Sequence, residues 1–125
     1  MKYRTAVLIA IIVLLTSACG SDEAGTGSVD QATINLGKTV FQANCSACHS
    51  ATSDTVLVGP SLHNIADWGD EMVAGLDAYD YTKESILDPS AYITEGFQDL
   101  MPKTYEGTLS DEQINAVIQY LLTLE

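Results

Sequence analysis

Near the C-terminus, Ile114, Val117, Ile118, Leu121 and Leu122 fall at i, i+3, i+4, i+7 and i+8, which makes one apolar stripe on a helix. The start of that helix is written into the residues before it. Ser110 suits an N-cap, Gln113 at the third helical position completes a capping box, and Leu109 and Ile114 bracket it as a hydrophobic staple. Asp111 and Glu112 occupy the first turn, where acids complement the helix dipole. Another helix is expected from about Leu36 to Ala47, with Gly37, Val40, Phe41 and Cys48 on or near one face. The glycine there permits close approach of a second helix. Between the two, Gly59-Pro60, Gly69, Gly75, Asp88-Pro89, Gly96 and Met101-Pro102 break the chain, leaving room for short helices such as 70–74 and 82–87. The latter must end near Pro89, because proline disfavours helical geometry at Asp88. No alternation of apolar and polar residues is long enough for a sheet and no repeat is present, so the segment from about Ala32 to Glu125 reads as all-α. Few apolar residues remain for its irregular middle, which leaves a centre for something other than side chains to fill.

The N-terminus follows another pattern. Lys2 and Arg4 precede an apolar run from Ala6 to Leu15, then the small residues Thr16, Ser17 and Ala18, and then Cys19. This reads as a secretory signal over residues 1–18; the run falls well short of the roughly 20 residues a membrane-spanning helix needs. Leu15-Thr16-Ser17-Ala18-Cys19 resembles the lipobox of bacterial lipoproteins, with Thr16 where that family usually has leucine. The resemblance implies that Cys19 becomes the lipid-modified first residue of the mature chain; an incidental cysteine beside an ordinary cleavage site, or an uncleaved anchor, are the alternatives. Gly20 to Asp30 is a Gly/Ser/Asp stretch without periodicity, so residues 19–33 are expected to form a tether and residues 34–125 the domain. A flexible tether of this length has a root-mean-square reach of roughly 20 Å.

Charge narrows the partners. The chain carries 17 acidic and five basic residues, a formal charge of −12. Loss of residues 1–18 would remove Lys2 and Arg4 and no acid, leaving three lysines against 17 acids and a charge of −14. A nucleic-acid partner is excluded on these grounds, because no Lys/Arg cluster exists to displace counterions from a polyphosphate.

Cys45-Ser46-Ala47-Cys48-His49 is C-x-x-C-H, the attachment motif of c-type haem. On one helical turn the two thiols and the imidazole project to one side, so the thiols can form thioethers with the haem vinyl groups while the imidazole meets the iron. A zinc site would need another ligand at sensible spacing, and His63 is the only spare one. A reactive dithiol would need a β-α-β context that the pattern does not offer.

At these residues the chain resembles the class I c-type cytochromes, from Ile34 to Leu124. The resemblance implies a fold whose N- and C-terminal helices cross, with Gly37 and Phe41 meeting Tyr120, and short helices and loops wrapped around one covalent haem c. It also implies that the carbonyl of Pro60, in Gly59-Pro60-Ser61-Leu62, accepts the Nδ1–H of His49. Residues 85–93, Gly96-Phe97 and Leu100-Met101-Pro102 are similar to the cytochromes found beside or fused to haem–copper oxidases. The matching position for the second iron ligand is Met101, with His49 as the first; Met72 lies in a short amphipathic stretch that would use it for packing. His63 is expected at the surface or on the propionate side, and Trp68, Tyr81, Tyr92 and Phe97 either pack on the haem or serve as ordinary core aromatics.

With both axial positions filled no site is open to a substrate, so the expected activity is single-electron transfer without catalysis and without a small-molecule substrate. The expected setting is a respiratory or photosynthetic chain on the outer, periplasmic face of a bacterial cell membrane, between a quinol-oxidising complex and a terminal oxidase, with a lipid anchor at Cys19. Lys38, Lys83 and Lys103 cannot form a lysine rim, so redox partners should present neutral, apolar or basic docking surfaces. A fixed haem relay in a larger complex, and a haem sensor or weak peroxidase whose Met101 detaches, are the alternatives.

Overall fold

The computed structural model describes residues 29–124. The expected signal, Cys19 and the tether up to residue 28 lie outside the described residues. Within them the chain is helical, with no strand: α1 (Gln31–Asn44), α2 (Ile65–Trp68), α3 (Ala78–Leu87), α4 (Tyr105–Thr108) and α5 (Asp111–Leu121), with a 3-10 turn at Gly69–Glu71 directly after α2. None of these helices is long and apolar enough to cross a membrane.

The α5 helix begins where its capping residues place it. Gln113 N–H donates to Ser110 Oγ at 3.2 Å and Ser110 N–H donates to Gln113 Oε1 at 2.9 Å, so both halves of the capping box are made. Its stripe is buried through Ile114, Val117, Ile118 and Leu121, together with Ala116 and Tyr120. Against this stripe lies α1, which buries Gly37, Val40 and Phe41. A Cβ on Gly37 would sit 2.0 Å from the Ala116 carbonyl oxygen and 2.6 Å from Tyr120 Cβ, so glycine is what lets the two backbones touch. One helical turn further, the Phe41 and Tyr120 rings meet at 5.9 Å, tilted by 53°.

Helix boundaries differ from the sequence expectation where polar side chains cap the chain. The first helix starts at Gln31 rather than Leu36, because the Asp30 carboxylate accepts the N–H groups of Ala32 and Thr33 at 2.9 and 3.0 Å. Residues 31–33, expected in the tether, therefore form its first turn. It stops at Asn44 rather than Ala47, because the N–H groups of Cys45 and Ser46 both bond to the Phe41 carbonyl, at 2.8 and 3.0 Å. The helix expected at 70–74 is absent: Asp70 turns its carboxylate to the Ala78 N–H, and the chain makes one 3-10 turn instead. The helix expected at 82–87 starts at Ala78, capped by Asp77, whose carboxylate accepts the Asp80 N–H at 2.8 Å. Thr82, buried on α3, satisfies its hydroxyl by donating to the Ala78 carbonyl at 2.6 Å. Leu87 is the last residue of α3, as Pro89 requires.

Candidate functional site

The end of α1 sets the position of Cys45, Cys48 and His49. Beyond Asn44 the chain makes one more turn, in which the N–H groups of Cys48 and His49 both close on the Cys45 carbonyl, at 3.0 and 2.9 Å. All three side chains line a single cleft, and Pro60 and Met101 line it too. The cleft is open to solvent on one side, and the space within it and at its opening is about 1140 Å³. Its inner wall is apolar, formed by Ile65, Tyr81, Ile86, Val117 and Leu121.

The loop after His49 positions that ring. Gly59 N–H donates to the Cys48 carbonyl at 2.9 Å and Leu62 N–H to the Ser50 carbonyl at 2.7 Å, which folds the loop back on the turn. His49 Nδ1 lies 2.8 Å from the Pro60 carbonyl oxygen. A carbonyl only accepts, so Nδ1 carries the proton and Nε2 keeps the lone pair that a metal ion takes. Burial lowers the His49 pKa, opposed in part by the Pro60 carbonyl, and so favours the neutral ring that coordination needs. Space for the imidazole exists because residue 59 has no side chain: a Cβ there would lie 2.4 Å from His49 Cε1.

The thiols are consistent with attachment of an apolar group. Burial, with a smaller contribution from Cys48, pushes the Cys45 thiol up to about 11. A thiolate is costly in this wall, whereas a thioether carries no charge. Both cysteines are free of disulfides. Among the described residues no group of three or more His, Cys, Asp or Glu gathers as a metal cluster.

The remaining candidates divide. Tyr81, Tyr92 and Phe97 line the cleft, and Tyr92 meets Tyr81 edge-on at 5.9 Å. Trp68 stands behind that wall, edge-on to Tyr81 at 6.2 Å, with Nε1–H donating to the His63 carbonyl at 2.9 Å. His63 Nδ1 is 2.9 Å from the Asp54 carboxylate, outside the cleft lining. Met72 packs against the core cluster, away from the cleft. Sequence reasoning missed two contributors. Gly59 was visible only as the neighbour of Pro60. Tyr105, on the unexpected α4, lines the cleft and donates its hydroxyl to the Asn44 carbonyl at 2.9 Å. Burial, then the nearby thiols, raise its phenol above the ordinary value, which keeps it a donor.

Comparison with known proteins bears on the same segment. A family model described as Cytochrome c matches residues 34–125. The chain is similar to "Cytochrome c6" of Tetradesmus obliquus, 32% identical over 90 residues that span 72% of this chain and 89% of that protein. It is also similar to "Cytochrome c6, chloroplastic" of Chlamydomonas reinhardtii, 29% identical over 120 residues, 94% of this chain and 67% of that protein. Among solved structures, a cytochrome c from Rhodothermus marinus superposes with a TM-score of 0.50 at 23% identity, covering 79% of this chain and 83% of the other, a likeness of fold. A helical domain with the C-x-x-C-H turn on an apolar cleft, matched by this model and these relatives, is a member of the cytochrome c family: a monohaem electron carrier with covalently bound haem c.

Proposed function

We propose that Cys45 and Cys48 bind the haem as thioethers, that His49 Nε2 and the Met101 sulfur take the two axial positions on its iron, and that the protein passes single electrons without acting on a substrate. The observation that carries this reading is the oriented ring of His49, held at 2.8 Å by the Pro60 carbonyl in a cleft that Met101 also lines. Haem supplies an iron that alternates between the ferric and ferrous states. The chain fixes the His49 tautomer, strengthens its donation through the Pro60 bond, and keeps water from the apolar inner wall. A thioether ligand favours ferrous iron and raises the potential relative to more strongly donating ligands.

The charge and the surface support a setting. An export signal with a lipid-modified Cys19 would hold the domain on the extracytoplasmic face of a membrane, in a respiratory or photosynthetic chain, between a quinol-oxidising complex and a terminal oxidase. Three consecutive apolar residues, Val56, Leu57 and Val58, are about half exposed or more beside the His49 loop. With three lysines in residues 19–125, docking through neutral, apolar or basic partner surfaces fits the chain better than a lysine rim.

The deciding experiment is Met101→Ala in the haem-loaded protein. The near-infrared band of ferric haem that reports sulfur ligation is expected to disappear and the midpoint potential to fall. Retention of both would remove Met101 as the ligand. Intact mass with a pyridine haemochrome spectrum on membrane-extracted protein reports haem count, thioether attachment and acylation together. Oxidation by a partner with a basic docking face is expected to slow as salt is added; acceleration would exclude that docking.

A further inference from the structure

The segment bearing Met101 runs from Pro89 to α4 with no regular element, and its position depends on where it is fastened. One fastening is internal: Ser90 Oγ donates to the Asp99 carboxylate at 3.1 Å, and Lys103 Nζ pairs with the same oxygen at 2.8 Å. These groups are solvent-exposed and tie the segment only to itself, and an exposed ion pair contributes little. The other joins two residues of the cleft lining. Tyr105, four residues after Met101, donates its hydroxyl to the carbonyl of Asn44, the residue just before Cys45.

That carbonyl is one of the acceptors that a helix end leaves over. In a continued α1 it would receive the Cys48 N–H, but that group closes on the Cys45 carbonyl at 3.0 Å. Neighbouring carbonyls in the last turn find local donors: Val40 takes Asn44 Nδ2 at 2.9 Å, and Gln42 takes Ser46 Oγ at 2.8 Å. Asn44 takes its donor from Tyr105, 61 residues further along the chain. The attachment turn and the Met101 segment, which are distant in sequence, are thereby joined beside Cys45.

We propose that Tyr105 is a positioning residue for Met101: its hydroxyl, by capping the Asn44 carbonyl, holds the Met101 segment closed and so sets how readily another ligand displaces the methionine. The inference rests on Met101 as the axial ligand. Loss of the bond leaves both helices in place and shifts the balance between closed and displaced segment. A foreign ligand that needs the displaced state then binds more tightly in proportion to that state's population.

The test is titration of the haem-loaded ferric protein with imidazole, followed by absorbance, in Tyr105→Phe and in Tyr79→Phe. Tyr79 supplies a matched control: its hydroxyl donates to Asn115 Oδ1 at 3.0 Å, joining α3 to α5 away from the cleft. Each variant loses one hydrogen bond and keeps its ring. The imidazole Kd is expected to fall about three- to tenfold in Tyr105→Phe, the range of one net hydrogen bond, and to stay at the wild-type value in Tyr79→Phe. A fall of less than threefold in Tyr105→Phe, or an equal fall in both variants, overturns the proposal. Met101→Ala separates the two readings: if it binds imidazole like wild type, the ligand assignment fails, whereas tighter binding there with no change in Tyr105→Phe defeats the positioning role alone.

Discussion

Replacement of Gly37 by alanine sets two opposing effects against each other at the α1–α5 crossing. Alanine in a helix interior is favoured over glycine by about 1 kcal/mol, so propensity alone predicts stabilisation. The crossing argues otherwise. An added Cβ would stand 2.0 Å from the Ala116 carbonyl oxygen, 2.6 Å from its carbonyl carbon and 2.6 Å from Tyr120 Cβ. Two of these atoms are backbone and the third is fixed to it, so no rotamer change relieves the contact. Ordinary contact begins near about 3.5 Å, and the helices must therefore separate locally by about 1.5 Å. A gap of even 0.5–1 Å forfeits about a quarter to a half of the dispersion energy of each facing atom pair, and the pairs affected include the Phe41 and Tyr120 rings, both buried. Overpacking of this kind costs about 1–3 kcal/mol; with unyielding backbone atoms the upper end applies, and the net loss after the propensity gain is about 2 kcal/mol. For a domain of this size that lowers Tm by roughly 8–16 °C. Thermal unfolding of the haem-loaded protein followed by circular dichroism measures it. A Tm equal to or above that of wild type would refute close backbone contact at this crossing.

Two further outcomes follow from single contacts. In Gly59→Ala the new Cβ would meet His49 Cε1 at 2.4 Å and push the ring from the Pro60 carbonyl, so the midpoint potential and the ferric spectrum are expected to change while the helical content stays; an unchanged potential would show that the loop yields instead. Asp30 titrates below its ordinary value of 3.8, held there first by the Thr33 hydroxyl and then by the Thr33 N–H. A depressed carboxylate stabilises the fold above the ordinary value, and that contribution is lost as pH falls through the folded value. Asp30→Asn keeps a capping oxygen and loses the titration, so the Tm difference from wild type is expected at pH 7 and should close in acid; a difference constant with pH would contradict the assignment.

The parts legible in the sequence are those whose cause is local. Ser110 and Gln113 are three residues apart, so α5 states its own beginning, and C-x-x-C-H confines its chemistry to one turn. Pro89 ends α3 by a steric rule acting on its immediate neighbour. The parts that were not legible depend on partners elsewhere in the chain or on elements too short to show a period. Four-residue helices such as α2 and α4 complete barely one turn and carry no apolar stripe. Asp30 and Asp77 cap turns with few apolar residues, which hides the true starts of α1 and α3. Asp70 sits where a short helix would place it, yet its carboxylate is drawn to Ala78, across the intervening loop. Gly59 and Tyr105 act through groups that no spacing rule connects, an imidazole fixed by the loop it belongs to and a carbonyl across a cleft.

The surface apolar residues can be apportioned by the same cleft. Val58, Tyr92, Ile93 and Leu100 are exposed, and all four line the cleft, so the apolar faces they present belong to the haem site. Val56 and Leu57 are exposed at 60% and 48% and lie outside the lining, next to Val58. They lie within the loop that follows His49, with their side chains on the outer surface. Lys103 is engaged with Asp99, which lines the cleft. Full burial of an exposed valine or leucine side chain gives about 1.5–3 kcal/mol; Val56 and Leu57 are already about half covered, so covering the rest gives about half of that each, without the long-range steering that a lysine rim gives. Under the docking proposed above, the acids would act at a distance, favouring partners of basic or neutral surface, while Val56 and Leu57 would act at contact. The two differ in salt response, because screening weakens the first and leaves the second nearly unchanged.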